Sequence, residues 1–141
     1  MTLYLDTSLL VAALTRESKT ASVQRWLREQ STIALALSDW TITEFSAALS
    51  LKLRERQIAA DNRADVLAEF ARWVEESFTL FPLSNIQFRT AARFADQYAL
   101  GLRAGDALHL AVCADQAATL CTLDRRLGKA APSFGVKTTL L

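Results

Sequence analysis

Gly105-Asp106-Ala107-Leu108-His109-Leu110-Ala111-Val112-Cys113-Ala114 leads, after the polar break Asp115-Gln116, into Thr119-Leu120-Cys121-Thr122-Leu123-Asp124. Residues 107–114 are apolar nearly all round, which marks a central buried helix rather than a surface one. Residues 119–123 are β-prone, so the stretch reads as a buried helix feeding a buried strand. The same alternation extends outward from it. Short β-prone runs at 2–5, 33–37, 78–81 and 136–140 are separated by longer helical patterns. Strands alternating with helices favour an α/β fold, with a central parallel sheet of about five strands flanked by helices on both faces.

The helical segments follow from spacing. Phe88, Ala91, Ala92, Ala95 and Tyr98 obey the i, i+3, i+4 rule over 85–100, and Val66, Phe70, Trp73 and Val74 do so before the third strand. Segment 39–56 carries Ile42, Phe45 and Leu49 on one side and Ala47, Ala48 and Leu51 on another, a broad apolar surface that suits both a core and a partner.

At 141 residues and 51% hydrophobic, the chain suits one domain over 1–141. Four glycines and two prolines leave no place for a linker, and there is no repeat or low-complexity tract. No basic region precedes an apolar stretch, and no apolar run approaches the roughly 18 residues of a membrane span, so a soluble cytoplasmic protein is expected. Cys113 and Cys121 form no CxxC or zinc-ligand pattern and read as reduced, buried thiols. A net charge of +1 predicts neither a nucleic-acid nor a membrane partner.

Four acids stand out because each ends or interrupts an apolar segment, where burying an ionised carboxylate costs several kcal/mol without compensation. Asp6 follows the first strand and precedes Thr7-Ser8; it suits a helix N-cap or Asx turn, but also a ligand site outside the carboxyl end of a central strand. Thr7 and Ser8 offer hydroxyls to a water or a phosphate. Glu44 shares its stripe with Ala47, Ala48 and Leu51; a partly buried acid paired with arginine is the alternative. Asp39, just before Trp40, reads as the cap of this helix. Asp106 opens the buried helix, where an N-cap role and a site role are compatible. His109 lies on the same side and reads as a core or supporting histidine rather than a ligand or base. Asp124 closes the fourth strand as Asp6 closes the first, and Arg125 and Arg126 beside it suit phosphate contact or plain solvation.

Four acids on one predicted rim favour a metal site over four independent caps. All-oxygen ligands select Mg²⁺ or Mn²⁺, and the lack of paired Cys or His ligands argues against structural zinc. Such ions activate water and stabilise phosphodiester displacement. With the four acids set aside, the remaining surface leans basic, which suits a phosphate backbone. There is no Ser-His-Asp arrangement, Walker A loop or GxGxxG, and Ser8 stands where an aspartyl phosphatase needs its second acid.

Leu5-Asp6-Thr7-Ser8, Thr43-Glu44-Phe45, Gly105-Asp106-Ala107-Leu108-His109-Leu110-Ala111 and Thr122-Leu123-Asp124-Arg125-Arg126-Leu127 together resemble the PIN-domain ribonucleases, most closely the VapC-type toxins of toxin-antitoxin pairs. The resemblance spans residues 2 to about 136. It implies a parallel sheet, Mg²⁺- or Mn²⁺-dependent cleavage of RNA, a homodimer and a cognate antitoxin. Asp6, Glu44 and Asp106 match the family's core acids and Asp124 its more variable fourth; Leu127 departs from a frequent aromatic. Two other functions stay open: a non-catalytic RNA- or protein-binding module that keeps the carboxylates as caps, and a metal-dependent DNA nuclease. Trp26, Trp40 and Trp73 are expected in the core, with a dimer or antitoxin groove as the alternative.

Overall fold

Leu3, Tyr4 and Leu5 are all buried, and successive side chains of a strand point to opposite faces, so this one strand needs cover on both sides. The computed structural model, which describes residues 1–141, supplies that cover. Five strands, β1 (Leu3–Leu5), β2 (Leu35–Ser38), β3 (Thr79–Phe81), β4 (Thr119–Thr122) and β5 (Thr138–Leu140), form one sheet in the order β3-β2-β1-β4-β5. Every pairing is parallel; Tyr4 pairs with Ala36 on one side and Leu120 on the other. Helices α1 (Thr7–Leu14) and α2 (Thr20–Arg28) connect β1 to β2, and α3 (Asp39–Arg54) and α4 (Ala60–Ser77) connect β2 to β3. Then α5 (Asn85–Ala95) and α6 (Ala104–Gln116) lead to β4, and α7 (Arg125–Ala130) to β5.

The core divides along the sheet. Leu3 and Leu5 pack with Leu9, Leu10, Phe45, Leu49, Val66 and Phe70 from α1, α3 and α4. Tyr4, between them in sequence, packs instead with Leu110, Val112, Leu120 and Leu127 from α6, β4 and α7. Residues Ala107 to Cys113 of α6 are buried without a break, as an all-round apolar helix requires. Trp26 and Trp73 pack on the first cluster, and Trp40 on the small cluster between α5 and α6. Both cysteines are free and buried, and burial pushes the Cys121 thiol up to about 12.

Several boundaries differ from the sequence expectation. The second strand starts at Leu35 because residues Thr32–Ala34 form a 3-10 turn, closed by the Ala34 N–H on the Ser31 carbonyl at 3.0 Å, that leaves Ile33 92% exposed. The helix expected over 85–100 stops at Ala95 and gives way to a 3-10 turn ending on Gly101, whose φ of 65° favours glycine. Its inward face is also rotated. Gln87 and Ala91 are buried, whereas Phe88 and Tyr98 are 54% and 90% exposed. Ala91 faces Ala107, Leu108 and Ala111, so the two helices approach on small residues. Gln87 is drawn inward because its amide donates to Asp115 at 3.0 Å while its carbonyl oxygen accepts the Ser84 N–H at 2.8 Å in a capping box.

No helix is long and apolar enough to cross a membrane. From β1 the chain proceeds through β2 to β3 on one side, then returns to β4 on the other. Adjacent strands whose connections leave in opposite directions open a crevice at their carboxyl ends. Asp6 directly follows β1, and Asp124 lies two residues beyond the end of β4.

Candidate active site

Asp6 is 3% exposed and caps α1, its Oδ1 accepting the Leu9 N–H at 3.3 Å and the Ser8 hydroxyl at 2.6 Å. Thr122, the last residue of β4, donates its hydroxyl to Oδ2. Burial raises the pKa of Asp6, and the charge of His109 and these hydrogen bonds offset that only in part. Thr122 Oγ1 in turn accepts the Asp124 N–H at 2.9 Å, which links the two strand-end acids through one threonine. Asp124 caps α7, its Oδ1 taking the Arg126 and Leu127 N–H groups at 2.9 and 3.2 Å.

Glu44 reaches the same rim from the second turn of α3. Its Oε1 accepts the Thr7 hydroxyl at 2.6 Å and is bonded to His109 Nε2. Its partner is therefore the buried histidine and not an arginine. Burial works to raise the Glu44 pKa, but the hydrogen bond and charge of His109, with Thr7, hold it below the usual range. Gly105 borders the other oxygen: a Cβ there would lie 2.7 Å from Glu44 Oε2 and 3.2 Å from Trp40 Nε1. A side chain at 105 would therefore displace the Glu44 carboxylate and press on the Trp40 indole. The Trp40 indole N–H is buried with no hydrogen-bond partner.

Asp106 is not the N-cap of α6. The helix starts at Ala104, so Asp106 sits at its third position, where Oδ2 accepts the Arg103 N–H at 3.1 Å and the Arg126 guanidinium at 3.3 Å. No Ser, Thr, Asn or Asp stands at 103, and a reading by cap residues therefore settles on the acid two residues inside. Asp39 is likewise not a cap; it is the first residue of α3, exposed, with a favourable charge at the positive helix end.

Glu44 Oε2, Asp106 Oδ1 and Asp124 Oδ2 accept no hydrogen bond from the protein, whereas each partner oxygen is tied. The four acids come to one rim, yet no three of the carboxylate and imidazole groups converge at ligating distance of a common point. The Ser8 hydroxyl is committed between Asp6 and the Leu123 N–H, and Arg125 and Arg126 are exposed beside the rim. Tyr4, Thr122 and Gly105 also shape the rim and were not singled out by sequence. The available signal was a tyrosine between two leucines of a doubly buried strand, whose hydroxyl must find partners.

A cavity of about 350 Å³ opens here, lined by Thr7, Ser8, Val11, Glu17, Ala48, Leu123 and Asp124. A larger one, about 1060 Å³, lies where the turn after α1 meets α3 and α4, beside Arg16, Lys52, Gln57 and Asn62. The smaller cavity borders the rim through Asp124 and through Thr7 and Ser8, whose hydroxyls hold Glu44 and Asp6.

The fold that carries these residues has a counterpart in a known family. The PIN domain family model matches residues 3–132. The chain belongs to the PIN-domain family. Among solved structures, this PIN domain is similar to VapC20 of Mycobacterium tuberculosis, a sarcin-ricin loop cleaving toxin, with TM-score 0.74 and 13% identity over 92% of this chain and 95% of that one. FitAcB of Neisseria gonorrhoeae matches with TM-score 0.68 and 16% identity over 97% and 96% of the two chains. VapBC-5 of Mycobacterium tuberculosis, from the VapBC family of toxin-antitoxin systems, matches with TM-score 0.62 and 19% identity over the whole of both. At such identities the likeness is one of fold. Comparison with curated protein sequences gives no match.

Proposed function

We propose that this PIN domain is a Mg²⁺- or Mn²⁺-dependent endoribonuclease, the toxin of a toxin-antitoxin pair. The observation that carries the reading is the placement of Asp6, Glu44, Asp106 and Asp124 on one rim at the switch point of the sheet. Three of the four keep one oxygen free of protein donors. An all-carboxylate donor set suits a hard divalent cation. Asp6, Glu44 and Asp106 would hold it, with Asp124 completing the set or holding a second ion. Such an ion, when bound, supplies Lewis acidity for a water and a phosphodiester. The chain's own part is positioning: Thr7, Ser8 and Thr122 hold the carboxylates by their hydroxyls, and Arg125 and Arg126 meet the phosphate backbone.

RNA as substrate is supported by the likeness to VapC20, and a protein antitoxin by the likeness to VapBC-5. A homodimer is supported by the exposed apolar side chains Ile86 and Phe88 of α5 and Tyr98 after it. The expected location is the cytoplasm.

Asp6→Asn should abolish Mg²⁺-stimulated cleavage of RNA while far-ultraviolet circular dichroism stays unchanged; Asp124→Asn should lose less, since water replaces a peripheral ligand. Undiminished cleavage by Asp6→Asn in a contaminant-free preparation sinks the assignment. A second reading, a non-catalytic binding module, is favoured by the structural roles of these acids: Asp6 and Asp124 cap helices, Asp106 accepts the Arg103 N–H at the start of α6, and the acids do not converge. Calorimetry with Mn²⁺ separates the two, since only the nuclease binds the ion and loses it on Asp6→Asn. Parallel RNA and DNA substrates separate the ribonuclease from a DNA nuclease.

A further inference from the structure

His109 is the chain's one histidine and is 3% exposed, with both ring nitrogens engaged. Nδ1 lies 2.8 Å from the Tyr4 hydroxyl, and Nε2 is bonded to Glu44 Oε1. The Tyr4 hydroxyl has two more partners, Ser38 Oγ at 2.7 Å and Thr41 Oγ1 at 3.1 Å. One chain of contacts thus runs from Ser38 and Thr41 through Tyr4 and His109 to Glu44 and Thr7.

Counting protons leaves one arrangement for it when the imidazole carries a single proton. An ionised carboxylate only accepts, so Nε2 carries a proton and donates to Glu44. In a neutral imidazole Nδ1 is then the acceptor, and the single phenolic proton of Tyr4 points at it. The Tyr4 oxygen receives the Ser38 and Thr41 hydroxyls. No member is left unsatisfied, which a buried polar network needs. The contacts join six residues on five elements of the fold, more than a lone core histidine needs to be satisfied.

The chain acts on a long side chain. Fixing a glutamate costs rotamer entropy, so an unheld Glu44 would sample several positions beside α3. Two donors hold Oε1, while Gly105 borders Oε2, which accepts nothing.

We propose that His109 and Tyr4 are positioning residues for Glu44. The imidazole, in its Nε2–H tautomer and aligned by the Tyr4 hydroxyl, turns Oε1 inward and presents Oε2 at the rim. The consequence for cation binding rests on the nuclease reading above; the tautomer does not.

A single histidine makes the test direct. In protein labelled with ¹⁵N in the imidazole, nitrogen spectra should show one protonated and one bare ring nitrogen, the protonated one being Nε2. Mn²⁺ affinity by calorimetry should fall roughly 10- to 100-fold in His109→Leu, as for other lost supports of a ligand. It should fall in the same direction in Tyr4→Phe, and return towards the parent value in His109→Gln, whose amide nitrogen can stand where Nε2 does. Tyr4→Phe keeps an apolar ring in the strand and so gives a folded variant even where His109→Leu does not fold. A proton on Nδ1 in place of Nε2 overturns the proposal, as does parental Mn²⁺ affinity in Tyr4→Phe. If the unaltered protein binds no Mn²⁺, the nuclease reading fails and the tautomer alone decides this one.

Discussion

Asp6 and Glu44 reach one rim, yet their surroundings push them in opposite directions. Asp6 binds its proton more tightly folded than unfolded, because burial outweighs its hydrogen bonds. It therefore favours folding below its usual value of 3.8, and that contribution is lost as pH rises from there through its raised folded value. Glu44 binds its proton less tightly folded, because His109 and Thr7 outweigh burial. It favours folding above its usual value of 4.5, and that contribution is lost as pH falls through its lowered folded value. Thermal melts at pH 7 should accordingly show Asp6→Asn more stable than the parent and Glu44→Gln less stable, with the Asp6→Asn gain shrinking towards pH 4. A destabilised Asp6→Asn at neutral pH would mean that its hydrogen bonds matter more than its burial. The sequence marks both residues as anomalous charges beside apolar neighbours. It gives no sign of which would be held ionised, because the deciding donors, His109 and Thr122, lie 65 and 116 residues away along the chain.

Among the elements, α6 is the one most fully written in its sequence, since a helix apolar on every side has one possible environment. α5 is the opposite case. Of its expected stripe of Phe88, Ala91, Ala92, Ala95 and Tyr98, Ala91 and Ala95 do pack on the small cluster with α6, but Gln87 turns inward with them while Phe88 and Tyr98 stay exposed. Close approach to Ala107 and Ala111 and the Gln87 hydrogen bonds outweigh the burial of one phenyl ring. At dilutions where the protein is monomeric, Phe88→Ala should therefore change stability by no more than about 0.5 kcal/mol. Ala91→Leu should overpack the contact with α6 and cost about 1–3 kcal/mol in urea unfolding. Equal costs at the two positions would contradict this register. The start of α6 departs from its sequence expectation for a related reason: helix boundaries are set by backbone hydrogen bonds as well as by cap residues, and Arg103 opens this helix with none of the usual cap side chains.

For the whole molecule, the proposed homodimer predicts a particle of about twice 15.6 kDa by light scattering at micromolar concentration. A monomeric mass there refutes it, and Phe88→Asp should shift a dimer towards monomer if α5 lies in the interface. The alternation of strand and helix, the buried character of β1 and β4, and acids waiting at their carboxyl ends follow from the sequence alone. Periodicity and burial cost act over a few residues and leave their mark there. The strand order β3-β2-β1-β4-β5, which sets Asp6 beside Thr122 and Asp124, was decided only when the chain packed. So were the hydrogen-bonded chain through Tyr4 and His109, the glycine seat beside Glu44 and the pairing of Asp106 with Arg126. Those contacts join residues far apart in the chain, and their partners are fixed by where helices settle on the sheet, which no local pattern of residues encodes.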